Sequence, residues 1–141
     1  MRLFLDANVL FTAAHNPEGR SAAIFQLAQA GACRLVTSPH ALEETRRNLR
    51  LKYPGAVDAL ERLVELAAVE PEAPPQDVAW AEEQGLPLKD APILAAAAQA
   101  RCDVLVTGDR AHFGSLYGRR FRGVEVLAPA DALARLLEEA S

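Results

Sequence analysis

The chain has 141 residues, 50% of them hydrophobic and 24% charged, with a formal net charge of −4. That length and balance describe a single globular domain spanning 1–141 with a sizeable core, and they exclude a disordered or fibrous chain. A net acidic chain is not a basic nucleic-acid binder as a whole, although an acidic, metal-filled pocket can still lie beside a local basic rim.

The longest nearly apolar stretch, Ala91 to Ala98, is far too short to span a membrane. Asp6 comes too early for a signal peptide, so the expectation is a cytoplasmic protein without membrane partners. Cys33 and Cys102 each precede a predicted strand. If those strands flank the first one they lie roughly 9–10 Å apart, beyond the ~7 Å reach of a disulfide, so both thiols are expected to be free.

Residues 2–6 read as a short buried strand, and Ala7 to Ala14 as one or two helical turns. Arg20 to Ala30 has a helical apolar period in Ile24, Leu27 and Ala28, ended by Gly31. Cys33 to Thr37 is a second strand. Ser38-Pro39 then starts a helix that runs to about Lys52, with Ser as cap and Pro at the first helical position. A further helix fits Ala56 to Ala67, and Ala68-Val69-Glu70 a third strand.

Pro71 to Pro75 is a connector, and Val78 to Gln84 a helix that Gly85 ends. Asp90 caps an alanine-rich helix through Ala100. Asp103 to Thr107 is the fourth strand, Gly123 to Leu127 the fifth, and Pro129 opens a closing helix. Strands alternating with helices mean an α/β fold: a three-layer α/β/α domain around a central parallel sheet.

The acids fall where apolar runs end: Asp6 after the first strand, Asp90 opening its helix and Asp109 just past the fourth strand, with Glu43 and Glu44 beyond the second. In such sheets the carboxyl ends of the strands form the ligand crevice, so chain-distant acids meet there. Each has a plainer reading. Asp6 and Asp90 serve as helix caps, Thr107-Gly108-Asp109 as a common turn, and the glutamate pair as a solvated face. Helical geometry does not choose between Glu43 and Glu44, since each flanks the buried stripe of Leu42, Thr45 and Leu49 about equally.

Jointly placed carboxylates repel one another unless a divalent cation lies between them, and oxygen ligands of this kind favour Mg²⁺ or Mn²⁺ over zinc. Asn8 is a candidate to orient Asp6. Thr107 is a candidate to hydrogen-bond a neighbouring carboxylate and fix its rotamer. Asp103, at the other end of its strand, is read as a solvated or capping residue.

His15, His40 and His112 receive no catalytic role; His112, within Asp109-Arg110-Ala111-His112-Phe113, lies close to the pocket and is a candidate to touch a substrate, with surface or packing as its plainer reading. Substrate phosphates are assigned first to Arg110, Arg119, Arg120 and Arg122, in a glycine-rich loop that bends over the pocket. Arg46, Arg47 and Arg50 on the Glu44 helix come second. A solvated charged face is the plainer reading for both groups.

In order along the chain, Leu3-Phe4-Leu5-Asp6-Ala7-Asn8-Val9-Leu10, Ser38-Pro39-His40-Ala41-Leu42-Glu43-Glu44, Lys89-Asp90-Ala91-Pro92-Ile93-Leu94 and Asp103-Val104-Leu105-Val106-Thr107-Gly108-Asp109 resemble the acid-bearing segments of the PIN domain, a family of metal-dependent ribonucleases. The subgroup is similar to the VapC-like toxins of toxin–antitoxin pairs. The resemblance selects Glu44 as the second acid. It implies a sheet of order 3-2-1-4-5 and hydrolysis of RNA by Mg²⁺ or Mn²⁺ held on Asp6, Glu44, Asp90 and Asp109, leaving 5′-phosphate and 3′-hydroxyl ends. Its expected partners are an RNA substrate, an antitoxin protein and a second copy of the chain.

Ala7 stands where the family often has Thr or Ser, and Pro71 to Leu88 matches no motif. The alternative is an inactive PIN-like module that binds partners, and the presence of all four acids argues against it. A receiver domain is disfavoured because Asp6 has no acidic neighbour and no lysine follows Glu125-Val126-Leu127. A haloacid-dehalogenase-like phosphatase needs Asp-x-Asp, and position 8 is Asn.

Overall fold

In the computed structural model, which describes residues 1–139, the first strand, β1 (Arg2–Leu5), lies inside the sheet rather than at its edge. Leu3, Phe4 and Leu5 are fully buried. Both faces are covered, which is why the run is continuously apolar instead of alternating. The same holds for β4 (Val104–Val106). With β2 (Arg34–Thr37), β3 (Ala67–Val69), β5 (Arg120–Phe121) and β6 (Val124–Leu127), the sheet has the order β3-β2-β1-β4-β6-β5.

The parallel core therefore keeps the expected 3-2-1-4-5 order, its fifth strand being β6. One correction is needed: β5 pairs antiparallel with β6 at the edge. Arg122 (φ 51°) and Gly123 (φ 84°) form the two-residue turn between them. Positive φ at both positions is what a tight hairpin matched to strand twist requires. The stretch read as a loop over the pocket is thus held in the sheet.

Helices flank the sheet. α1 (Ala7–His15) and α2 (Arg20–Gln29) connect β1 to β2, and α3 (Pro39–Lys52) and α4 (Val57–Val64) connect β2 to β3. α5 (Pro75–Glu83) and α6 (Ala91–Gln99) then carry the chain to β4, on the other side of β1. The strand order reverses there, so the crevice of the fold lies at the carboxyl end of β1. α7 (Arg110–Phe113) is a single turn and α8 (Pro129–Glu139) closes the fold.

α3 begins as expected, with Ser38 Oγ accepting the Ala41 N–H at 3.3 Å and Pro39 in the first turn. α4 stops at Val64, short of the expected Ala67, because Ala67 already pairs with Leu35 of β2. α5 starts at Pro75, where a missing N–H costs nothing in a first turn. Two buried threonines mark the contacts of β2 and α3 with this end of β1. Thr37 Oγ1 donates to Leu5 O at 2.9 Å, while the Thr45 hydroxyl donates to Ala41 O of its own helix at 2.7 Å with Ala7 O of α1 3.2 Å away.

Among the described residues no helix is long and apolar enough to cross a membrane. Both cysteines are buried and unpaired, and β2 and β4 flank β1 as expected. Burial raises both thiols, Cys102 to about 11. Thiols so held are expected to resist iodoacetamide at about pH 8 in the folded protein and to label fully in guanidinium, with no disulfide in the non-reduced mass. Rapid labelling of the native protein would place a thiol outside the core.

Candidate metal centre

Asp6 follows β1 directly, and its backbone N–H continues the ladder to Val106 O at 3.1 Å. Its carboxylate is 4% exposed. Oδ1 accepts the Ala7 N–H at 2.7 Å, while Oδ2 accepts the Thr107 hydroxyl at 2.8 Å and the Asn8 amide at 3.2 Å. Burial pushes the pKa of Asp6 up to about 6. The Thr107 and Ala7 hydrogen bonds pull it down, and the charges of Glu44 and Asp90 raise it further.

Thr107 uses its full hydrogen-bonding capacity: it donates to Asp6 and accepts from Asn8 Nδ2 at 3.3 Å and from the Asp109 N–H at 3.2 Å. The Tyr117 hydroxyl holds the Thr107 carbonyl at 2.7 Å. Asn8 Oδ1 accepts the Gly108 N–H at 2.7 Å, and a Cβ on Gly108 would lie 3.2 Å from that oxygen. A glycine there lets the β4 loop approach Asn8 closely.

Asp90 corrects an expectation. It occupies the position preceding α6, but its backbone is already helical (φ −101°, ψ −23°) and its side chain makes no capping bond. An effective cap needs an extended backbone to aim its oxygen at the first turn. The carboxylate faces the pocket instead, where burial raises its pKa despite His112 and Lys89, with Asp109 and Glu44 adding to the rise. Asp109 does cap, accepting the His112 N–H at 3.2 Å.

His112, given no catalytic role above, enters the site. Its Nδ1 lies 2.7 Å from Asp90 Oδ2 and 2.9 Å from Asp109 Oδ2. Neither approach has hydrogen-bond alignment, so Asp90 Oδ2 and His112 Nδ1 are both buried without a hydrogen-bond partner. The signal was present in the sequence: His112 is three residues after Asp109, on the same side of a one-turn helix.

Asp6, Glu44, Asp90 and Asp109 together line one cleft of about 300 Å³. Glu43 is exposed and is not among the lining residues, whereas Glu44 is. Lys52 and Lys89 line the same cleft, although the sequence reading passed over both. Lys52 follows Glu44 by two helical turns, and Lys89 immediately precedes Asp90.

The favoured arginines are dispersed. Arg110 lines an adjoining cleft of about 550 Å³ together with Asn8 and Gly108, its guanidinium 5.9 Å from the Tyr117 ring centre. Arg119 lies over Phe121. Arg120 approaches Glu125 at 3.4 Å, in a pocket shared with Met1 and Asp103 at the opposite end of the strands. Arg122 stacks on Trp80 and pairs with Asp77. Arg119, Arg120 and Arg122 are not brought to the acidic cleft, because the hairpin formed by β5 and β6 holds their segment. Arg46 pairs with Glu61.

A divalent cation fits this donor set. One ligand atom each from Asp90, Asp109 and His112 lie within 4.8 Å of one another, and two of the atoms here are buried polar atoms with no hydrogen-bond partner. Orphaned polar atoms in a native pocket need a reason, and a cation supplies one. The carboxylate oxygens suit Mg²⁺ or Mn²⁺, and an imidazole nitrogen among them is a poorer ligand for Mg²⁺ than for a transition metal.

A PIN domain family model matches residues 2–111. A comparison with curated protein sequences gave no match. Among solved structures, PAE2754 from Pyrobaculum aerophilum is similar at TM-score 0.70 and 20% identity, covering 98% of this chain and 90% of that one. DNA-bound VapBC from Salmonella typhimurium aligns at TM-score 0.67 and 17% identity, over 92% and 98% of the two chains. VapC20 from Mycobacterium tuberculosis, a sarcin–ricin loop cleaving toxin, aligns at TM-score 0.55 and 16% identity, over 77% and 92%.

The Asp6 environment has a measurable consequence for the metal-free protein. Folding raises the Asp6 pKa from 3.8 to about 6, so its contribution to stability is complete below about pH 4 and is lost as pH rises through about 6. Between about pH 4 and pH 7 the metal-free wild type is therefore expected to lose up to ~3 kcal/mol more stability than metal-free Asp6→Asn in urea titrations. Added Mn²⁺ is expected to stabilise only the wild type. Thr107→Val should weaken Mn²⁺ binding by about 10–100-fold in calorimetry. The same pH dependence in the two metal-free proteins would contradict this electrostatic account.

Proposed function

This chain belongs to the PIN domain family, and from that premise we propose that it is a ribonuclease hydrolysing RNA phosphodiester bonds at a Mg²⁺ or Mn²⁺ centre on Asp6, Glu44, Asp90 and Asp109. The observation that carries the reading is the lining of a single cleft by all four acids, where Asp90 Oδ2 and His112 Nδ1 lie 2.7 Å apart, buried and without an aligned hydrogen bond. The same convergence favours an enzyme over a module that only binds partners. The VapC20 neighbour is a sarcin–ricin loop cleaving toxin, which supports RNA as substrate.

A bound divalent cation supplies Lewis acidity, lowering the pKa of water and screening the scissile phosphate. The chain supplies position. Thr107 and Asn8 hold the Asp6 carboxylate in place at the cleft it lines. Asp90 and Asp109 approach the same point from the starts of α6 and α7, and Glu44 approaches from α3. Lys52 and Lys89 offer positive charge inside the cleft, and Arg110 does so from the adjoining one.

An antitoxin partner belongs to the same proposal, because solved proteins of this fold include VapBC from Salmonella typhimurium and FitAB, each bound to DNA. So does pairing of two copies of the chain.

The test is incubation with single-stranded RNA and Mn²⁺. Cleavage is expected to leave 5′-phosphate and 3′-hydroxyl ends, to stop with EDTA, and to fall at least about a hundredfold in Asp6→Asn, Glu44→Gln and Asp90→Asn. Cleavage undiminished in all three variants would remove the site from the reaction.

A further inference from the structure

Two rows of side chains leave the acidic cleft side by side. On α1, Phe11 and His15 follow one another by a helical turn; on α3, Glu44, Asn48 and Lys52 do the same. Phe11, Glu44, Asn48 and Lys52 all line the cleft. From Glu44 to Lys52 the α3 row rises about 12 Å. At its outer end Tyr53 follows α3 and closes on α1.

Three rings meet there. His15 lies flat against Tyr53, with centroids 4.4 Å apart and planes 10° from parallel. Phe11 is 4.9 Å from His15 and 5.7 Å from Tyr53. Lys52 Nζ lies 5.8 Å from the Phe11 ring centre. Rings that serve only packing are fully covered here, as Phe4, Phe25 and Phe113 are. Tyr53 is instead 47% exposed, and Phe11 and His15 are only partly covered.

We propose that this valley between α1 and α3 is a binding track for unpaired RNA bases, in which Phe11, His15 and Tyr53 form a stacking platform and Lys52 holds the strand's phosphate. The inference rests on the ribonuclease reading above and adds the surface that holds the strand. Aromatic faces interleaved with a cation bind a single strand by stacking, with tolerance for sequence because every base has a π-face. A duplex buries those faces, so the track selects single-stranded RNA. Stacking also fixes the strand beside Glu44, which directs a neighbouring phosphate to the acids.

The experiment uses an RNA oligonucleotide whose cleavage site has been mapped with the wild-type protein. Binding is measured by fluorescence anisotropy with Mg²⁺ in the Asp6→Asn background. Phe11→Ala and Tyr53→Ala are each expected to weaken binding about tenfold. In the otherwise wild-type enzyme they should raise KM more than they lower kcat. Phe11→Trp should restore affinity, and an RNA with an abasic nucleotide beside the cleaved bond should bind wild type and Phe11→Ala alike.

The proposal is overturned if both variants bind RNA as the wild type does, or if the loss is equally large on abasic RNA. Loss of self-association with unchanged RNA affinity would also overturn it, making the face an interface between copies. If Phe11→Ala fails to fold, the half-exposed Tyr53 carries the same comparison. Wild-type protein that neither binds nor cuts RNA defeats the ribonuclease reading and the track together; cleavage insensitive to both variants defeats the track alone.

Discussion

Asp6 is a carboxylate taken almost wholly out of water, and that burial, to which the charges of Glu44 and Asp90 add, raises its pKa to about 6. The surrounding structure works against that rise. The Thr107 hydroxyl, the Asn8 amide and the Ala7 N–H all donate to Asp6, each favouring the charged form that burial opposes. They offset the unfavourable burial only in part. What they leave over is a carboxyl whose pKa stays raised.

Thr107 makes this arrangement a property of the fold. It sits just beyond β4, whose Val106 is in register with Leu5 of β1. Its hydroxyl joins the acid after β1 to the backbone of the acid after β4. A slip of one strand against the other would separate Asp6 from Asp109 and break the hydroxyl's contacts together. The buried apolar strands that fix this register therefore also fix the site, which links core packing to chemistry through one side chain.

Much of this was legible in the sequence because the signals were local. Ser38-Pro39 marks the start of α3, and the apolar runs of β1 and β4 mark central strands. Asp6 and Asp109 end those runs, which places them at the crevice. Other features depended on tertiary structure. α4 stops early because pairing with β2 captures Ala67, a long-range effect that helix propensity does not register. β5 is two residues long and exists only by pairing with β6, so its arginines read as a loop. Asp90 resembles a cap by spacing, yet its backbone turns the carboxylate elsewhere. By sequence alone His112 and the two lysines look like surface residues; what gives them a place is tertiary, the approach of His112 to Asp90 and the lining of one cleft by both lysines.

The acids of this chain fall into two kinds, and the contrast bears on function more than the net charge does. Glu125 is as covered as Asp90, yet Arg135 binds it through two hydrogen bonds and Arg120 adds a third. Its pKa is lowered, chiefly by the Arg135 hydrogen bonds. That is a carboxylate neutralised by its own protein, a structural ion pair. Asp6 and Asp90 move the opposite way, upward, because burial outweighs the help they receive. Lys52 and Lys89 stand in the same cleft, but among the described residues neither forms an ion pair with these acids. The fold thus supplies arginines where charge is to be cancelled and withholds them where it is to be kept. Carboxylates left without an arginine at the crevice, with His112 close to Asp90 and Asp109 and with raised pKa values at Asp6 and Asp90, are what a functional site presents and a structural ion pair does not.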